Sequence, residues 1–141
     1  MNIIDQLLEA QLFEEALGYL EQGMELGSED YLFYLAYIQV HMGWTEEAMD
    51  TIYDYQLQYP RSDQLSTLTG FLADIYHQEG RLYEAYDEIR IALKLEPNCP
   101  ILQSTASEIH SDLSDLLSAV STWFIWSSAL YCKRNINNML E

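Results

Sequence analysis

The chain has 141 residues, a single domain's length, and 49% of them are apolar, which excludes a disordered polar chain. Its 23 acids against 6 bases leave a net charge of −17, which disfavours docking on nucleic-acid phosphates or on anionic headgroups. The imbalance is steepest over positions 1–60, which hold twelve acids and neither Lys nor Arg.

The opening stretch, MNIIDQLLEAQ, places acids where a targeting peptide needs bases, so mature cytoplasmic protein is expected. A short helix is expected over about Asn2–Ala10. A second follows, with Phe13, Ala16, Leu17 and Leu20 on one face. Ser28 is suited to cap a third helix that begins near Glu29. Leu32, Leu35, Ala36 and Ile38 line that helix until Gly43, where a left-handed residue would turn the chain. Thr45 is the expected cap of the next helix, whose stripe of Ala48, Ile52 and Tyr55 runs to Pro60. The pattern then returns. Leu68, Leu72, Ile75 and Tyr76 line a helix, Gly80 turns, and Ala85, Ile89, Ala92 and Leu93 line another that Pro97 closes.

The return has a fixed step. Gly43 and Gly80, Ala48 and Ala85, and Pro60 and Pro97 are each 37 residues apart. Ala16 precedes Ala48 by 32, so a weaker copy lies upstream. Over Thr69–Asn98 the positions of Leu72, Ala73, Tyr76, Gly80, Ala85, Ala92, Leu95 and Pro97 resemble the tetratricopeptide repeat family. In Leu32–Pro60 the same pattern holds Leu32, Leu35, Ala36, Gly43, Ala48 and Pro60. It departs at Gln39, where a tyrosine is usual, and at Tyr55, where a small alanine is usual and a large ring should splay that helix pair or mark an end of close packing. The resemblance implies an all-α fold. Three repeats (about 2–27, 29–61 and 63–98) would form a short α-solenoid of antiparallel helix pairs, with 99–141 as a helical cap packed on it.

Between Leu116 and Cys132 lie seventeen residues without a charge, followed by Lys133 and Arg134. That length sits at the lower limit of a membrane span, and a membrane-tethered assembly factor is one reading. The other is a cap helix, since serines and a threonine dilute the stretch. Trp123, Phe124, Ile125 and Trp126 cover all sides of a helix, so one neighbour cannot bury all four. Trp123, Phe124 and Trp126 are therefore candidates for a self-contact, with the helix folding back across the repeats, or for a homodimer contact.

No catalytic pattern is visible. His41, His77 and His110 share no metal-ligating spacing, Cys99 and Cys132 are 33 apart, and no glycine-rich phosphate loop or nucleophile elbow occurs. No enzyme activity, metal or cofactor is expected, and both thiols should be free.

The resemblance also implies a concave groove lined by the first helix of each pair. Here it would present Asp30, Phe33, Tyr34, Tyr37 and His41, then Thr67, Phe71, Asp74, His77 and Gln78, with Asp5, Leu8 and Glu9 from the short first helix. Aromatic faces edged with acids suit a partner protein's peptide or helix with apolar anchors and Lys or Arg neighbours. The carboxylate clamp by which relatives hold chaperone tails lacks its Lys and Arg here. A holder of an export substrate, like a secretion chaperone, is the alternative within this class. The groove's aromatic residues could instead be covered by the protein's own C-terminal segment.

Overall fold

The computed structural model describes the backbone of residues 2–140, with side chains over 2–127 and at Leu130. The described residues form helices and no strand: α1 (Ile3–Glu9), α2 (Phe13–Gly23), α3 (Glu29–Met42), α4 (Thr45–Gln58), α5 (Leu65–Gln78), α6 (Leu82–Leu95) and α7 (Pro100–Leu140). Chain neighbours pack on one another, with α3 against α4 and α5 against α6 the most extensive pairs. Short connections between such neighbours make each pair an antiparallel hairpin.

One turn geometry recurs three times. The amide of Trp44 donates to the Gln39 carbonyl at 2.9 Å, that of Arg81 to Tyr76 at 2.9 Å, and that of Leu12 to Leu7 at 2.9 Å. Each bond spans five residues across a left-handed residue, which satisfies carbonyls that the helix end would leave free. At Gly43 (φ 76°) and Gly80 (φ 78°) the glycine expected from the sequence fills that position. In the first hairpin it is Gln11, with φ 59°. A side chain there meets the steric cost that glycine avoids. We expect Gln11→Gly to raise the unfolding free energy by about 0.5–1 kcal/mol, measurable as a shift in urea midpoint at unchanged slope.

The residue after each turn, Leu12, Trp44 or Arg81, has φ between −89° and −81° and ψ between 69° and 72°, which is neither helical nor extended, and precedes the next helix. Thr45 is therefore the first residue of α4 and not its cap. Its hydroxyl donates back to the Gly43 carbonyl at 3.4 Å, and Trp44 holds the cap position without a side-chain bond. Ser28 does cap α3, with its hydroxyl accepting from the Tyr31 amide at 3.2 Å.

Ala16, Ala48 and Ala85 stand four residues into this pattern each time, and all three are fully buried. An alanine there lets backbones approach where a larger side chain would hold them apart. Two cores result. The smaller gathers Ile4, Ala16, Leu20 and Ile38 from α1, α2 and α3. The larger gathers residues of α3 to α7, including Leu32, Ile52, Tyr55, Leu68, Leu72 and Ile109.

Tyr55, expected to force the α3–α4 pair apart, is fully buried in the larger core. Its hydroxyl explains how. It donates to Glu29 Oε1 at 3.0 Å, lies against the Ser62 hydroxyl, and reaches Gln64 at 3.4 Å. Burial first, then the Glu29 carboxylate, push its pKa up to about 12. Gln39, the other departure, is also buried and accepts the Thr51 hydroxyl at 2.6 Å. Both polar groups are thus satisfied where they are buried.

The first part of α7 packs on α5 and α6, with Leu102, Ile109 and Leu113 buried. Gly70 marks the closest approach: a Cβ there would lie 2.6 Å from Leu102 Cδ2. From Leu116 onward the described side chains of α7 are exposed up to Trp126, so Trp123, Phe124 and Trp126 neither fold back nor fill the groove. The backbone stays helical throughout, and an unbroken helix has no bend with which to return. Among the described residues no helix is long and apolar enough to cross a membrane. The Cys132, Lys133 and Arg134 side chains, which belonged to the tether reading, lie outside the described ones.

Candidate functional site

α3 and α5 lie side by side and carry most of the side chains expected to line a groove. The structure gathers them into two adjoining hollows. One, of about 300 Å³, is walled by Tyr37 and His41 of α3, by Thr67, Phe71 and Asp74 of α5, and by Cys99, Leu102 and Thr105 at the start of α7. The other, of about 400 Å³, lies between Asp5, Leu8 and Glu9 on the α1 side and Phe33, Tyr34 and Tyr37 of α3. Tyr37 belongs to both.

The rings in the first hollow are ordered on one another. Tyr37 and His41, one turn apart on α3, stack at 4.2 Å between centroids. Phe71 meets both edge-on, at 5.7 Å from Tyr37 and 6.0 Å from His41. Phe13 of α2 stacks on His41 from outside at 5.4 Å. The His41 Nδ1 lies 2.8 Å from the Tyr37 carbonyl. A carbonyl only accepts, so the proton is on Nδ1, and a neutral ring then keeps Nε2 as an acceptor. Three rings held by packing and one hydrogen bond form a preordered aromatic wall.

Asp74 faces the same hollow. Its carboxyl is pushed above its ordinary 3.8 by burial first, with the Glu108 carboxylate adding to the rise and His77 and Thr105 opposing it. The sign matters. A raised pKa means that the folded chain holds this proton more tightly than the unfolded one, so Asp74's contribution to stability is full at low pH and is lost as pH rises through the raised value. At neutral pH the hollow therefore carries a partly desolvated negative charge whose cost a bound cation would relieve.

In the second hollow Tyr34 is committed to structure. Its hydroxyl donates to Asp5 Oδ1 at 2.9 Å, and burial together with that carboxylate holds its pKa up at about 12. The bond ties α1 to α3. Asp5 also closes the α1 capping box with Asn2, so two interactions fix it. Phe33 packs edge-on to Tyr34 at 5.5 Å.

Three expected groove residues stand elsewhere, of which Gln78, the last residue of α5, is exposed and lines neither hollow. Asp30 is exposed in the first turn of α3, where its charge suits the helix N-terminus, and lines neither hollow. His77 is taken by α7: its Nε2 lies 2.6 Å from Asp112 Oδ2. The C-terminal segment therefore covers the distal end of the α5 face with its first turns and leaves Phe33, Tyr34 and Tyr37 uncovered. Glu96 after α6, Cys99 before α7 and Thr105 within it also reach the first hollow, and none of the three was expected there. Pro100, which starts α7 directly after Cys99, was the available signal that the chain turns there.

Among the described residues no three His, Cys, Asp or Glu side chains are grouped to hold a metal. The chain matches no protein-family model and no curated protein.

Proposed function

We propose that the chain is a non-enzymatic interaction module: a short α-solenoid of three tetratricopeptide-type helix pairs, ended by α7, that binds a basic segment of a partner protein along α3 and α5. The threefold turn, with Gln11, Gly43 and Gly80 at its left-handed position, supports the repeat reading. The aromatic wall of Tyr37, His41 and Phe71 beside the half-buried Asp74 carries the functional one. A Lys or Arg side chain entering the first hollow would lie against ring faces and offset the Asp74 charge. An apolar neighbour on the partner would reach the second hollow at Phe33 and Leu8. The charge of positions 1–60 draws such a partner in and turns phosphate away.

A peptide-display selection on the full chain tests this. Wild type should enrich Lys or Arg beside aromatic or aliphatic residues, and Phe71→Ala should weaken binding of a selected peptide by about tenfold, the scale of one desolvated cation–ring contact. Affinity should rise as pH climbs above 3.8 through the raised Asp74 pKa, because cation binding favours the ionised carboxyl. Asp74→Asn should flatten that profile. Selection of acidic peptides, or equal binding by Tyr37→Ala and Phe71→Ala, would remove the hollow as the site.

A further inference from the structure

α7 is seated on the body by an apolar stripe that steps alternately four and three residues: Leu102, Ala106, Ile109 and Leu113. The stripe does not stop where the body does. It continues in the same alternation through Leu116, Val120 and Trp123, is interrupted by the polar, half-buried Ser127, and resumes at Leu130. Alternating steps of three and four are the repeat by which one helix seats against another over several turns. The first half of this seam is filled by α5 and α6, while its apolar continuation is exposed. The positions flanking the seam, Leu117, Phe124 and Trp126, are apolar and exposed as well.

We propose that this continuation is a homodimer seam, in which α7 of a second copy packs antiparallel against it. Three observations select a second copy. The first is continuity: the seam prolongs an interface that already works inside the molecule. The second is area. Trp123, Phe124 and Trp126 are 69%, 66% and 67% exposed, which amounts to roughly 400 Å² of aromatic surface. With Leu116, Leu117, Val120 and Leu130 the patch approaches the roughly 800 Å² per partner of a stable complex. The third is charge. With a net −17, most faces of two copies repel, but Leu116 to Cys132 carries no charge at all. Flanking positions in helix pairs normally hold charges that exclude wrong partners, and here they hold none that would exclude a copy of itself.

Orientation follows from the same charge. A parallel pair would place two acidic bodies side by side. An antiparallel pair centred on Ile125 separates the two Leu113 positions by roughly 36 Å along the helix, well beyond the screening length. In that register Trp123 of one copy stands opposite Ser127 of the other, a large side chain against a small one, and Val120 stands opposite Leu130.

Light scattering on the full chain in detergent-free buffer tests this. The expected mass is twice 16.4 kDa at micromolar concentration. Trp123→Glu and Val120→Glu each place a charge at the seam twice per dimer and should raise the dissociation constant at least about 100-fold, with an unchanged helical dichroism spectrum because both sites are exposed. Ile125→Glu, on the far side of the helix, should keep the dimer. Spin labels on Ser114→Cys, with Cys99→Ser and Cys132→Ser, should report an inter-copy distance of roughly 30–40 Å. A monomer at every concentration would overturn the proposal, as would association that Trp123→Glu leaves intact or wild type that sediments with phosphatidylcholine vesicles. A label distance under about 20 Å would overturn the antiparallel arrangement.

Discussion

Replacing Tyr55 by alanine is expected to cost about 3–5 kcal/mol of unfolding free energy, a large share of the roughly 5–15 kcal/mol that keeps an ordinary domain folded. The ring is fully buried in the larger core, and no neighbour can collapse into so large a gap without moving helices. Tyr55→Phe separates the ring from its hydroxyl. The ring stays, while Glu29 loses one of two donors and keeps Ser62, whose hydroxyl lies 2.5 Å from the same oxygen. That variant should cost only about 1 kcal/mol. Urea unfolding followed by far-ultraviolet dichroism checks both. Equal losses for the two variants would show that the hydrogen-bond cluster, and not the packing, makes Tyr55 important.

Ile109→Asp should act differently, because Ile109 holds the first half of α7 against the rest. A carboxylate in that fully buried position has no partner and costs several kcal/mol. Among the described residues α7 packs mainly on α5 and α6, so the least costly response is release of its first turns. Hydrogen exchange read by mass spectrometry should show protection lost over 100–113 and kept over 29–58. Peptide binding should fall with it, since Leu102 and Thr105 form one side of the first hollow. Uniform loss of protection along the chain would mean that α7 is part of one cooperative unit with α3 and α4.

The hairpins were legible in the sequence because their punctuation is chemical. Gly43 and Gly80 mark positions that need a left-handed backbone, Ser28 brings its own cap, and the buried alanines recur at the repeat spacing. The first hairpin was harder to read. Its turn residue is Gln11, which no rule of turn chemistry singles out, and only the 32-residue step to Gly43 betrays it. Tyr55 misled for a related reason. Its size was visible, but the partners that make it burial-competent, Glu29 and Ser62, lie 26 and 7 residues away. The rings of α3 and α5 that line the hollows were expected from the repeat resemblance, which assigns one face of each helix position by position. What α7 contributes could not be read that way. His77 pairs with Asp112 across 35 residues, and whether a helix ends on the body or runs past it depends on where the body stops.

α3 gives Leu32 and Ala36 to one core and Ile38 to the other, so it is the hinge between two separately sealed interiors. The smaller interior is closed by only α1 and α2, with the Tyr34–Asp5 bond as a latch. Partial opening of that N-terminal cover would bare Ile38 while the larger core stayed intact. For a cell this is an exit point: a quality-control protease would meet an unravelled acidic segment there and could start degradation without the whole molecule unfolding.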